Sequence, residues 1–412
     1  MKDIQGGVCA PKGFRAGGIL CGIKASSKKR DLALIYSEKA CAAAGVFTAN
    51  KVKAASVLLS QEHIAGGVLR AVIANSGNAN ACTGEAGLAA ARKMAELAAD
   101  LFAIKASQVA VASTGVIGVP LPIAAIESGI EALGNSLRGD EAGHAAALEA
   151  IMTTDTRNKD GAVEIEIDGK PVRIGAMTKG SGMMHPNMAT MLCFITSDAA
   201  IPAEVLDSCL RSVVGRTFNR LTIDGDTSTN DSVIIMANGE ALNSPIVAGS
   251  PACKIFEQAL EKLCVKLTRA MARDGEGATK LVTVTVSGAR DEKTAETLAK
   301  AIASSSLVKA ACFGADANWG RILCAMGYSG AEFEPGEVDV SFVSGVANGG
   351  GEEVTVCRGG ASVPFSEVDA KRILQQEEIE IRVKAGKGSG VVTAWGCDLT
   401  YDYVKINGDY RS

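Results

Sequence analysis

The chain has 412 residues, 47% hydrophobic and 21% charged, which supplies a large core and excludes a disordered chain. A formal net charge of -4 gives no basic surface for a nucleic acid or an anionic membrane. The longest apolar runs, such as Val116 to Ile126, fall well short of the about 20 residues of a membrane-spanning helix.

The start, Met1-Lys2-Asp3 running into Gly6-Gly7, lacks the apolar core of a secretion signal, so a cytoplasmic protein is expected. At this length both one layered domain and two lobes are open. Helical spacing of Met94, Leu97 and Leu101 predicts a helix over Gly87 to Phe102. Val163 to Ile167 and Val172 to Ile174 read as a strand pair around the turn Asp168-Gly169. Further strands are predicted at Met191 to Thr196, Ser232 to Met236, Leu281 to Val286, Val338 to Val343 and Ile379 to Val383, with a helix over Ala252 to Arg273. Strands that neighbour each other in sequence favour α+β layers over a doubly wound parallel sheet.

Twelve cysteines stand singly with no C-x-x-C pair, and the three histidines, His63, His144 and His185, are scattered. Neither pattern has metal-ligand spacing. Few histidines also leave few bases for a Ser-His-Asp centre. No P-loop or dinucleotide fingerprint occurs.

The most unusual stretch is Lys179-Gly180-Ser181-Gly182-Met183-Met184-His185-Pro186-Asn187-Met188-Ala189-Thr190-Met191-Leu192, which passes from a glycine-rich run into a predicted strand. On local pattern alone Thr190 is the first residue of a buried strand. Such a junction also lets its hydroxyl attack the carbonyl of Ala189, whose small side chain leaves the approach open. An N-to-O acyl shift and hydrolysis would free Thr190 as a new N-terminus, with an α-amine of pKa about 7.7–8 as its own general base.

This run resembles the self-cleavage segment of the ornithine acetyltransferase family. The resemblance extends through Asn75-Ser76-Gly77-Asn78-Ala79-Asn80-Ala81-Cys82-Thr83-Gly84, Ser113-Thr114-Gly115-Val116, Asp224-Gly225-Asp226-Thr227-Ser228-Thr229-Asn230-Asp231, Arg273-Asp274-Gly275-Glu276-Gly277 and Gly314-Ala315-Asp316-Ala317-Asn318-Trp319-Gly320-Arg321. It implies an α+β fold layered helix-sheet-sheet-helix. It also implies self-cleavage into residues 1–189 and 190–412, both held in one fold, and a heterotetramer of two copies of each piece. The implied reaction moves an acetyl group from N-acetylornithine to glutamate through an acetyl ester of Thr190, in arginine biosynthesis. It needs no metal or prosthetic group, with acetyl-CoA left open as a second donor.

The resemblance assigns residues as well. Thr114 and Gly115, which local pattern reads equally as a turn, become the oxyanion hole. Lys179 becomes a contact for the α-carboxylate that both substrates carry, and Glu276, between two glycines, a substrate ligand or proton carrier. Thr154 is a further contact, with Thr153 and Thr156 as neighbouring alternatives. Asn407 and Ser412, in a tail that would otherwise read as frayed, reach the same site. The stretch Asp224 to Asp231 is rich in oxygen ligands without the spacing of a calcium loop, and is expected either to be structural or to support the site residues from behind. Two rivals stay open: a self-processing amidase or aminopeptidase using the same nucleophile with water, and a binding protein for N-acetyl amino acids without turnover.

Overall fold

A computed structural model of the chain describes residues 1–24, 28–185, 191–344 and 351–408. Nine strands form the larger sheet: β1 (Lys2–Ile4), β2 (Phe14–Ile19), β3 (Leu32–Phe47), β4 (Val68–Asn78), β5 (Val109–Val116), β6 (Asp160–Ile167), β7 (Lys170–Lys179), β8 (Leu192–Ser197) and β9 (Ser232–Ala237). Their order is β1-β6-β7-β8-β9-β3-β4-β5, with β2 pairing β3 off this path. The predicted β6–β7 hairpin is present. Its turn residues Asp168 and Gly169 both have positive φ, 51° and 71°, the conformation that a tight two-residue hairpin turn needs.

The long strand β3 is the seam of this sheet. Its pairing with β4 shifts register between Tyr36 and Cys41, and its last residues, 42–47, pair with β9. Side-chain alternation sorts the faces. Leu32 and Leu34 pack with Leu59 of α1 (Ala55–Ile64), Met94 of α2 (Gly84–Asp100) and Ile126 of α3 (Ile123–Asn135). Ala33 and Ile35 turn the other way and join Val72, Ala112, Met177, Phe194 and Ile234, together with Leu148 of α4 (Glu141–Ile151). The remaining face carries Val163, Ile174, Ile195 and Val233, covered by α5 (Ala203–Arg216) and α6 (Pro251–Arg273). One core therefore lies between two halves of a folded sheet with helices outside each, the expected helix-sheet-sheet-helix layering.

Helix α6 shows how local sequence serves the site. Ser250 caps it by accepting from Cys253 N–H, and Pro251 occupies the first turn. Phe256, Leu260, Leu263, Leu267 and Met271 recur every three or four residues as its buried stripe. Its last turn delivers Asp274 and the loop that carries Glu276.

The strands predicted beyond residue 280 belong to a second sheet of six: β10 (Leu281–Ala289), β11 (Asp339–Ser344), β12 (Glu352–Arg358), β13 (Ala361–Ser362), β14 (Glu378–Lys384) and β15 (Gly390–Cys397), ordered β13-β12-β11-β14-β10-β15. Its core is closed by helices including α7 (Glu292–Ser304), α8 (Ser306–Gly314), α9 (Trp319–Gly327) and α10 (Glu367–Leu374). A last helix, α11 (Tyr401–Asn407), returns the chain to the first sheet's site. Among the described residues no helix is long and apolar enough to cross a membrane.

Candidate functional site

The ends of β5, β7 and α11 and the loop after α6 meet at one cleft. It encloses about 540 Å³ of empty space, counting the part open to solvent, and Thr114, Gly115, Thr154, Lys179, Glu276 and Asn407 all line it. Six residues that are scattered over nearly 300 positions of sequence thus line one cleft.

Gly115 is fixed by sterics. Its φ is 136°, and a Cβ there would stand 2.3 Å from Gly77 C and 2.5 Å from Asn78 N, so no other residue fits without moving β4. Asn230 holds this strand end in place: its amide donates to Ser113 O and to Ala79 O, each at 2.7 Å. The Lys179 ammonium donates to Thr114 Oγ1 at 3.4 Å. A hydroxyl that accepts there still carries a proton of its own to donate, the property that an oxyanion donor needs.

Lys179 is only 3% exposed. Burial pushes its ammonium below the ordinary lysine range, while the charge of Asp155, 4.0 Å away, opposes the shift. Behind it lies a buried relay of charge. Lys159 bonds Asp155 at 2.6 Å and Asp274 at 2.5 Å, and Asp155 also accepts Gly180 N–H at 2.8 Å and Thr153 N–H at 3.0 Å. Burial raises the Asp155 carboxyl, but Lys179 and Lys159 outweigh it and hold the group below the usual carboxylate range. The 4.0 Å pair and the 3.4 Å bond to Thr114 are long for an ammonium, so Lys179 retains hydrogen-bonding capacity for an anion in the cleft.

Glu276 is aimed by glycine. A Cβ on Gly182 would lie 2.2 Å from its carboxylate, and the Glu276 backbone N–H donates to Ser181 O at 2.8 Å. Asn407 Nδ2 donates to Glu276 Oε2 at 2.8 Å, which joins the chain's last helix to the cleft. The three threonines separate by partner. Thr156 is committed to Asp274 through both its N–H and its hydroxyl, whereas Thr153 and Thr154 line the cleft, Thr154 sharing a 2.7 Å bond with Ser181.

Ala189, Thr190 and Ser412 lie outside the described residues. Met191, bonded to Thr190, is described: its N–H donates to Asp231 Oδ1 at 3.0 Å, and its carbonyl accepts from Ser232 N–H. The ladder to β7 starts at Leu192 opposite Lys179, because the amide of Met191 is taken by a side chain. On the near side of the junction, the Asp224 carboxylate accepts the N–H groups of Met183 and Met184 at 2.5 and 2.8 Å. His185 sits beside Thr222 at 3.2 Å.

Sequence reasoning did not find Asp155, Lys159 and Asp274, whose partners stand up to 118 positions away. The stretch ending at Asp231 was expected to be structural or to support the site from behind, and Ser228, Thr229 and Asn230 line the cleft itself. Its density of oxygen and amide groups was the signal.

Residues 15–412 match the ArgJ family. The arginine biosynthesis bifunctional protein ArgJ of Symbiobacterium thermophilum is 51% identical over 413 residues, covering 100% of both chains. Among solved structures, the bifunctional protein argJ of Bacillus halodurans is 44% identical, covers 52% of this chain and 97% of its own, and has a TM-score of 0.49. An ornithine acetyltransferase complexed with ornithine, from Mycobacterium tuberculosis, is 40% identical, covers 46% and 99%, and has a TM-score of 0.43.

Proposed function

This chain belongs to the ArgJ family, and from that premise we propose that it is an acetyltransferase of arginine biosynthesis that cuts itself before Thr190 and carries acetyl from N-acetylornithine to glutamate on that threonine. The observation that carries this reading is the convergence of Thr114, Gly115, Thr154, Lys179, Glu276 and Asn407 on one cleft, beside the strand that follows Thr190 in sequence.

Each group has a chemical task. Lys179 attracts the α-carboxylate common to donor and acceptor. Glu276, steadied by Asn407, faces the side-chain ammonium of ornithine. The Thr190 hydroxyl attacks the acetyl carbonyl, with the freed α-amine taking its proton. The Thr114 hydroxyl and Gly115 N–H stabilise the oxyanion as it forms. Ornithine leaves, and the glutamate amine takes the acetyl from the threonine ester. These steps draw on side chains and the new α-amine alone, and acetyl-CoA would enter as a second donor to the same ester.

Sheet order supports one fold after the cut. Strands β8 and β9, from residues 190–412, lie between β7 and β3, from residues 1–189, so the two pieces remain hydrogen-bonded along both edges. A heterotetramer of two such pairs in the cytoplasm completes the proposal. Mass spectrometry of the 190–412 piece after incubation with N-acetylornithine should show one acetyl group on Thr190. An unmodified piece, or hydrolysis of the donor without transfer to glutamate, would favour the amidase alternative.

A further inference from the structure

We infer that one buried water, bonded to Ser56, Asn75 and Ser113, is a fixed part of the support behind Thr114, and that these three are positioning residues for the oxyanion hole. The water site stands on geometry alone, and its effect on turnover rests on the acetyltransferase reading above. Ser56 Oγ, Asn75 Oδ1 and Ser113 Oγ are buried with no hydrogen-bond partner among the described residues. Asn75 and Ser113 are 0% exposed and Ser56 1%.

Topology brings the three together. Asn75 and Ser113 are register partners in the parallel pair of β4 and β5, so their side chains leave the same face of the sheet. Helix α1 runs along β5 in the opposite sense. His63 Nδ1 donates to Val109 O at 2.7 Å, and Ser60 Oγ both donates to Val111 O and accepts Val111 N–H, each at 2.7 Å. Ser56 lies one turn before Ser60, about 6 Å along the helix, and Ser113 lies two residues beyond Val111, about 6.6 Å along the strand. The sequence of contacts that sets His63 on Val109 and Ser60 on Val111 therefore sets Ser56 at Ser113. The start of α1 agrees, since Ala55 N–H donates to Asn80 O at 3.1 Å and Ala54 N–H to Thr229 O at 2.9 Å, beside the Asn230 amide that holds Ser113 O.

Buried polar atoms are nearly always paired, so three unpaired ones on one spot ask for a partner. Asn75 Oδ1 can only accept, because Asn75 Nδ2 donates to Asn78 O at 2.9 Å and so fixes the amide's orientation. Each serine hydroxyl can donate or accept. One water meets all three demands: it donates to Asn75 Oδ1 and to one serine oxygen, and accepts from the other hydroxyl. Three bonds are what a buried water usually makes. A hard cation would ask for about six oxygens or more. Ser113 is then held at its carbonyl by Asn230 and at its hydroxyl by the water, directly before Thr114 and Gly115, whose donors must stand where the oxyanion forms.

A crystal structure that shows ordered solvent tests the site itself. It should contain one solvent peak at about 2.6–3.2 Å from Ser56 Oγ, Asn75 Oδ1 and Ser113 Oγ. No peak there, direct bonds among the three side chains, or a peak ringed by about six oxygens as a cation would be, overturns the inference. Turnover tests the positioning role. Ser56→Ala and Ser113→Ala should each lower kcat for acetyl transfer by about 10-fold with KM unchanged, because the donors shift while substrate contacts stay. The double variant should lose little more than either single one, since both act through one water. Losses that multiply, or that fall on KM, overturn the positioning role, and the solvent peak still decides the site should either variant fail to fold. A parent that holds the water but transfers no acetyl upholds the site and overturns the acetyltransferase reading.

Discussion

The two sheets bury charge in different ways. In the six-stranded sheet the core is apolar, with Val284, Val286, Val340, Phe342, Ile381 and Ala394 nearly inaccessible. The lysines buried beside it end on backbone carbonyls: Lys280 on Cys312 O at 2.5 Å and Lys309 on Cys397 O. Around the nine-stranded sheet, buried ionisable groups gather at the ends of β5 and β7 and the start of β8, and among the described residues two are incompletely partnered. Among the described residues Lys179 has long contacts to Thr114 and Asp155, and Asp231 has an oxygen without a donor. A buried charge whose bonds are filled stiffens a fold. One whose bonds are left open is positioned for something that arrives or forms, and that difference locates the site.

Substitutions should therefore divide by sheet. The largest effect belongs to Thr190→Ala, which should leave a folded, uncut chain without transfer activity. Retained cleavage on a denaturing gel would assign the cut to another residue or to a protease. Next, Phe342→Ala should lower stability by about 3–5 kcal/mol in a denaturant titration while the folded fraction keeps its turnover. A fall in kcat would break the division between the sheets. Thr114→Val keeps the branched shape and deletes the hydroxyl, so acetylation of Thr190 should slow by about 100- to 1,000-fold with little change in affinity. An unchanged rate in single-turnover kinetics would remove Thr114 from the oxyanion hole.

Smaller effects sharpen the same contrast. Lys179→Met should weaken N-acetylornithine and glutamate alike, by about 10-fold or more in calorimetric titration. Loss for one substrate only would mean that Lys179 reads the side chain rather than the α-carboxylate. The last concerns pH. The Asp155 carboxyl is lowered in the fold by Lys179 and Lys159 against the opposing effect of burial, so its stabilisation is full above its unfolded pKa of about 3.9 and fades as pH falls towards the folded value. The stability gap between parent and Asp155→Asn should hold constant above about pH 5 and narrow below about pH 4 in thermal melts. A gap that closes near neutrality would contradict the depressed carboxyl.

Much of the fold was legible because it is locally encoded. The predicted helix from Ala252 is α6 to within a residue at its start, and the Asp168-Gly169 turn paired the strands it joins. The folding of one sheet about β3 was not legible, since it depends on a register shift between strands brought together from distant positions. The site divides likewise. Thr114 and Gly115, at the end of β5, and Glu276, in the turn after α6, stand in glycine-containing blocks by which the family resemblance finds them, whereas Asp155 and Lys159 look like ordinary surface charges until Asp274 is brought alongside. Strand β8 begins two residues later than the junction suggested because Asp231 takes the Met191 amide, a contact 40 positions long that no local pattern encodes.

The central claim is that this chain cuts itself before Thr190, and N-terminal sequencing of the purified protein after denaturing electrophoresis tests it most directly. The account predicts two bands, residues 1–189 and a second piece that reads Thr-Met-Leu-Cys-Phe, co-eluting as one species before denaturation because β8 and β9 sit within the sheet of the first piece. A single intact chain after long incubation, or a second piece beginning at any other residue, would contradict it.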